Sequence, residues 1–144
     1  WETEAQLWAE GLEYTLSCLH CAGEDRIEVL SPEEISGVAC VVSGKDLQIS
    51  YSGVLLDAGS LNSEGLNPIS AIPCLIRALE SGWCTQTWRE EQRGVECIAA
   101  QFRVSEESVL TVWLEPELRA PVCAELDNCG KVVVSMVFTS WIKG

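Results

Sequence analysis

Apolar and polar positions alternate along most of the chain, and one segment breaks the alternation. Residues 5–20 carry Trp8, Leu12, Tyr14, Leu16 and Cys18 on one parity and Glu13, Thr15 and Ser17 on the other. A period of two predicts a strand with one dry and one wet face. Gly11 interrupts this first long strand and marks a bulge or bend. Cys21-Ala22-Gly23-Glu24-Asp25 reads as a turn, and a strand over 26–30 returns antiparallel. Ser31-Pro32 ends it, because Pro32 has no N–H for a ladder and drives Ser31 to extended geometry. Strands over 38–42 and 47–52 follow, joined by the turn Ser43-Gly44-Lys45-Asp46. In the second of these, Leu47, Ile49 and Tyr51 alternate with Gln48, Ser50 and Ser52. The first 53 residues thus predict a four-strand meander without a helix, and 54–66 reads as a connection.

The alternation breaks over 71–81. Ile72, Leu75, Ile76 and Leu79 fall at i, i+3, i+4 and i+7, the single apolar stripe of a helix. Ser70 is an N-cap residue, Pro73 fits a first turn where its missing N–H is not needed, and Gly82 fits the position after the helix. Strands resume over 84–89, 95–104, 108–114, 119–126 and 131–141, with the last two forming a hairpin around Asp127-Asn128-Cys129-Gly130. This predicts a mainly β fold of the α+β class, one domain over 1–144. About nine antiparallel strands form a curved sheet, or half-open β-barrel, with the helix as its lid.

Charge narrows the partners. Nine basic against 22 acidic residues give a net charge of −13. So acidic a surface repels phosphate backbones and excludes nucleic acid as a partner. No apolar run reaches the ~18 residues of a membrane helix, and no basic-then-apolar leader is present. The chain begins at Trp1 without an initiator Met. That reads as a trimmed chain whose targeting segment has been removed.

Eight cysteines, Cys18, Cys21, Cys40, Cys74, Cys84, Cys97, Cys123 and Cys129, are an unusual load. An even count suits an oxidising compartment and at least one disulfide. Buried free thiols are the alternative, since cysteine behaves as a small hydrophobe. Cys74 lies opposite the apolar stripe of the helix, so it is expected outside the core, with Cys84 as its candidate partner. Cys18-Leu19-His20-Cys21 is a CxxC, but thiol–disulfide exchange needs that motif at a helix N-terminus, and here it ends a strand. Zinc could draw on Cys18, His20, Cys21, Cys123 and Cys129, yet five residues separate the last two cysteines, more than the usual two to four. His20 is the only histidine. Glu33-Glu34, Glu90-Glu91 and Glu106-Glu107 sit in predicted turns without desolvation, and no nucleophile elbow or phosphate loop occurs. Neither a catalytic residue, nor a metal, nor a cofactor is assigned.

Several short phrases carry a resemblance. Val29-Leu30-Ser31-Pro32-Glu33, Gly37 and Tyr51-Ser52-Gly53 precede the helix. Leu114-Glu115-Pro116-Glu117, Pro121 and the last hairpin follow it. In this order the chain resembles the LolA-like superfamily, and within it the small bacterial lipoproteins of unassigned function. The resemblance implies a half-open β-barrel with helices over its mouth. In carrier members the apolar concave face holds acyl chains, and other relatives bind a partner protein. It further implies an exported protein, tethered in the cell envelope by a lipidated cysteine that would precede Trp1. That anchor would be its one link to a membrane. The cysteine load and the single helix depart from the pattern, so any cavity would be small or filled.

The leading expectation is therefore a monomeric, non-catalytic extracytoplasmic lipoprotein domain. Its concave face would take a lipid or acyl ligand or a partner protein. Leu16, Ile49, Tyr51, Ile98 and Phe102 would form the groove floor, Ile72, Leu75, Ile76 and Leu79 the lid side, and Trp83 and Trp88 the rim. One alternative is a structural or interaction lipoprotein with a filled core and no ligand. The other is a thiol redox or metal-binding protein built on Cys18 and Cys21.

Overall fold

The structure, a computed structural model, describes residues 1–9, 11–21, 23–43, 46–51, 54–60 and 68–142, with backbone only at 34, 47, 51, 54–60 and 68–70. Eleven strands form one antiparallel sheet: β1 (Glu2–Ala9), β2 (Leu12–Cys21), β3 (Glu24–Ser31), β4 (Ala39–Ser43), β5 (Asp46–Tyr51), β6 (Val54–Ser60), β7 (Cys84–Gln92), β8 (Val95–Arg103), β9 (Ser108–Leu114), β10 (Pro121–Asn128) and β11 (Lys131–Ile142). Helix α1 (Pro68–Ser81) separates β6 from β7, and a short 3-10 helix spans Glu33–Ile35. The sheet order is β6-β5-β4-β3-β2-β1-β11-β10-β9-β8-β7. Two meanders therefore meet where β1 pairs β11, with Leu7 opposite Met136. The two strands that flank α1 in sequence are the two edges of the sheet. The chain must cross from one edge to the other, and α1 does so over the concave face.

The mainly β architecture with one lid helix matches the sequence pattern, and the departures are local. The expected long strand over 5–20 is a hairpin, because Gly11 takes φ +77° and reverses the chain. The reversal changes the parity: Ala5, Leu7 and Ala9 point inward, and Trp8 points outward. The expected connection over 54–66 begins with β6, which pairs β5 from Tyr51↔Val54 onward, so pairing overrides its weak composition. Residues 61–67 lie outside the described residues. The helix starts at Pro68, so Ser70 lies inside it and Pro73 falls beyond the first turn. Strand β7 runs on to Gln92, and β10 starts at Pro121.

The main core lies between α1 and the concave face. Ile72, Leu75 and Ile76 from α1 meet Leu7, Leu16, Ile27, Leu110, Leu126 and Met136 from the sheet, all fully buried. Burying each such side chain contributes roughly 1.5–3 kcal/mol. Cys74 is also buried, against expectation. The sheet curls far enough to cover the flank of α1 as well as its stripe.

A second, smaller core sits on the outer face. Register places Trp88, Ala99, Trp113, Cys123 and Val137 side by side across β7 to β11. Ala99 and Cys123 are small, which leaves room for the Trp113 indole between them.

Candidate functional site

Leu16, Ile72, Leu75, Ile76 and Phe102 are brought together, but as packed core. Ile49 and Leu79 lie half-buried at its margin, and Ile98 is half-buried on the same face. The side chain of Tyr51 lies outside the described residues. Trp83 follows the helix and is 78% exposed. Trp88 is not on the groove rim: its parity in β7 puts it on the outer face, beside Ala99 and Trp113.

One end of the half-barrel is open. Leu79, in the last turns of α1, faces Trp1, Trp141 and Leu114 across a pocket of about 470 Å³, and the turn bearing Leu118 and Arg119 closes its far side. Trp141 packs on Trp1 with ring centroids 5.4 Å apart and takes Phe138 edge-on at 5.3 Å. The Leu118–Arg119 turn is braced from within. The Glu115 carboxylate accepts from the backbone N–H of Glu117 at 3.0 Å and of Leu118 at 2.6 Å. The Arg119 N–H donates to the Glu115 carbonyl at 2.7 Å.

His20 ties this end of the helix to the sheet. Its Nε2 hydrogen-bonds Glu80 Oε1 on α1 at 3.1 Å, and its Nδ1 hydrogen-bonds Asp25 Oδ1 on β3. The Trp1 ring lies 6.1 Å from the imidazole. The mouth of the pocket is thus held by side-chain bonds that link β2, β3 and α1.

The cysteines do not form the expected chemistry. Cys18, Cys40, Cys97 and Cys123 are buried free thiols, and Cys21, Cys84 and Cys129 are exposed free thiols. The expected disulfide is absent among these seven, and Cys84 does not pair with the buried Cys74. Burial pushes Cys18 up to about 12, with the Asp25 charge adding to the shift. A thiol so protonated, on a strand rather than a helix N-terminus, cannot work with Cys21 in exchange. Among the described residues no three metal-binding side chains converge. The described residues thus support neither the thiol-redox nor the metal alternative.

Sequence reasoning missed Trp1, Leu118 and Arg119 as pocket residues. Trp1 and Trp141 meet only because β1 pairs β11, with Thr3 opposite Trp141. No local periodicity signals that pairing.

The geometry is that of a LolA-like fold, as the solved structures it resembles show. One chain of the complex between the CwlD amidase and the GerS lipoprotein of Clostridioides difficile superposes with a TM-score of 0.63 at 9% identity, covering 100% of this chain and 85% of that one. The Mycobacterium tuberculosis lipoprotein LppX gives 0.53 at 14% identity, covering 99% and 87%. A LolA superfamily protein from Nitrosomonas europaea gives 0.50 at 13% identity, covering 96% and 82%. No family profile and no curated protein matches the sequence. Among the described residues no helix is long and apolar enough to cross a membrane.

Proposed function

We propose that the protein is a non-catalytic, extracytoplasmic binding domain of the lipoprotein type, which takes an acyl chain or a similar apolar segment in the pocket between Leu79, Trp1 and Trp141. One observation carries this reading. The interior predicted to hold a ligand is occupied by α1 and its partners, and the opening left at the end is lined by two indoles and leucines. Its volume of about 470 Å³ lies within the range of small-molecule sites. The fold resemblance to lipoproteins supports placement outside the cytoplasm and an anchor upstream of Trp1. Leu16, Ile72, Leu75, Ile76 and Phe102 then act as the packed scaffold of the domain, with Ile49 at the margin of that core.

A fluorescent fatty acid titrated into the protein should bind saturably. Leu79→Glu, which puts a charge on the apolar wall, should weaken binding by about tenfold or more, because a desolvated carboxylate is costly. Trp141→Ala should weaken it too, while Trp83→Ala should not. Equal binding by wild type and Leu79→Glu would sink the assignment. A second reading has the same end dock a partner protein. The complex of the CwlD amidase with the GerS lipoprotein, one chain of which has a similar fold, supports it.

A further inference from the structure

We propose that a second pocket, on the other flank of α1, binds a phosphate monoester dianion through Arg77 and Arg103. The pocket holds about 270 Å³ between the last turns of α1 and the end of β8. Arg77, Ala78, Phe102, Arg103 and Val104 line it, and no carboxylate does. In a chain with 22 acidic and nine basic residues, two guanidinium groups on one pocket without an acid is a marked local inversion of charge.

Among the described residues neither arginine meets a carboxylate. Arg77 Nε donates to the Pro73 carbonyl at 3.3 Å, while its Nη2 is buried without a hydrogen-bond partner among the described residues. Arg103 Nη1 donates to the Glu106 carbonyl at 3.3 Å. The ion pairs among the described residues use neither arginine. A buried guanidinium N–H left unpaired is costly, and an oxyanion that accepts from it removes the cost. Two planar forks match the oxygens and the charge of a phosphate dianion.

One effect opposes binding. The C-terminal end of α1 points at this pocket and carries a partial charge of about −0.5. Two full positive charges outweigh it. Its last carbonyls are also engaged: the Gly82 N–H donates to the Ala78 carbonyl at 2.8 Å and the Ser81 hydroxyl to the Arg77 carbonyl at 3.4 Å. The site is braced where the Arg103 N–H donates to the Trp83 carbonyl at 3.3 Å. That bond holds the chain leaving α1 against β8. Free phosphate and the headgroup of a phosphatidic acid offer the same chemistry. Trp83, exposed and next in sequence to the lining residue Gly82, suits the second, because indoles settle at the headgroup level.

The test uses the intact chain at physiological ionic strength, where a Debye length of about 8 Å screens the global negative charge. Inorganic phosphate is titrated calorimetrically, and flotation is measured with phosphatidylcholine vesicles with and without phosphatidic acid. Saturable phosphate binding that weakens about tenfold in Arg103→Gln and Arg77→Gln, but not in Arg89→Gln, an exposed arginine of neither pocket, assigns a free anion site. Flotation only with phosphatidic acid, lost in the same two variants, assigns the lipid headgroup. Binding to neither probe overturns the proposal, as does equal binding by wild type and Arg103→Gln. Equal loss in Arg89→Gln overturns it as well, since that would report net charge alone. Arg103 is exposed, so its variant keeps the test valid if Arg77→Gln fails to fold.

Discussion

Glu90 shows how one exposed carboxylate can organise an otherwise apolar patch. A single oxygen accepts from the Trp113 indole at 2.8 Å and the Trp88 indole at 3.1 Å. These bonds, Trp113 first, hold its carboxyl below the usual carboxylate range. A lowered folded pKa means that the stabilisation is fully present above the unfolded value and is lost as pH falls through the folded one. Acidification below the usual carboxylate range should therefore shift the tryptophan emission as the indoles lose their acceptor. Glu90→Gln, which cannot titrate, should abolish that transition; an unchanged titration in the variant would assign it elsewhere. Little of this was legible in the sequence. Glu90 reads as a turn residue next to Glu91, and only the register of β7, β8 and β9 brings it to Trp113. The CxxC is the converse case. Its spacing was visible, but burial of Cys18 and the strand beneath it decide its chemistry.

At the scale of the element, α1 was the most legible part of the chain. Its stripe of Ile72, Leu75, Ile76 and Leu79 is local information, and the structure places three of the four fully in the core. Leu75→Ala should cost about 2–5 kcal/mol, read as a fall in the midpoint of chemical unfolding. A cost below about 0.5 kcal/mol, the usual range of a surface substitution, would mean that α1 does not pack as described. Gly82 is fixed by a different constraint. A Cβ there would lie 2.6 Å from the Ala78 carbonyl oxygen, so the chain can leave the helix only over a glycine. Less legible were the ends. Pro68 and Pro73 both fit a helix start, and local chemistry does not rank them. Cys74 shows why a stripe is an incomplete guide to burial: the width of the buried face depends on how far the sheet curls, which no helix wheel contains.

For the whole molecule, the alternation of period two gave strands but not their count or order. Gly11 separates two readings, one bent strand or a hairpin, and only the φ of +77° selects the hairpin. The end pocket depends entirely on such long-range order. Its apolar walls come from Trp1, just ahead of β1, and from α1, β9 and β11, and the side chains that line it are far apart in sequence. The LolA-like resemblance supplied the half-barrel in outline. It could not say that this helix fills the concave face and leaves the opening at one end.

The pairing of β1 with β11 has a consequence for how the protein is made. Glu2 lies opposite Ile142, so the first of these eleven strands has its outer edge covered only once the last is in place. Until then, ten strands and a helix can form while Ala5, Leu7 and Ala9 stand beside an open ladder. A sheet closed by its ends folds slowly, on the millisecond-to-second scale seen for topologies rich in distant contacts. A chain cut before Lys131 should expose the β1 edge for good, and light scattering should show it aggregating at concentrations where the full chain stays clear.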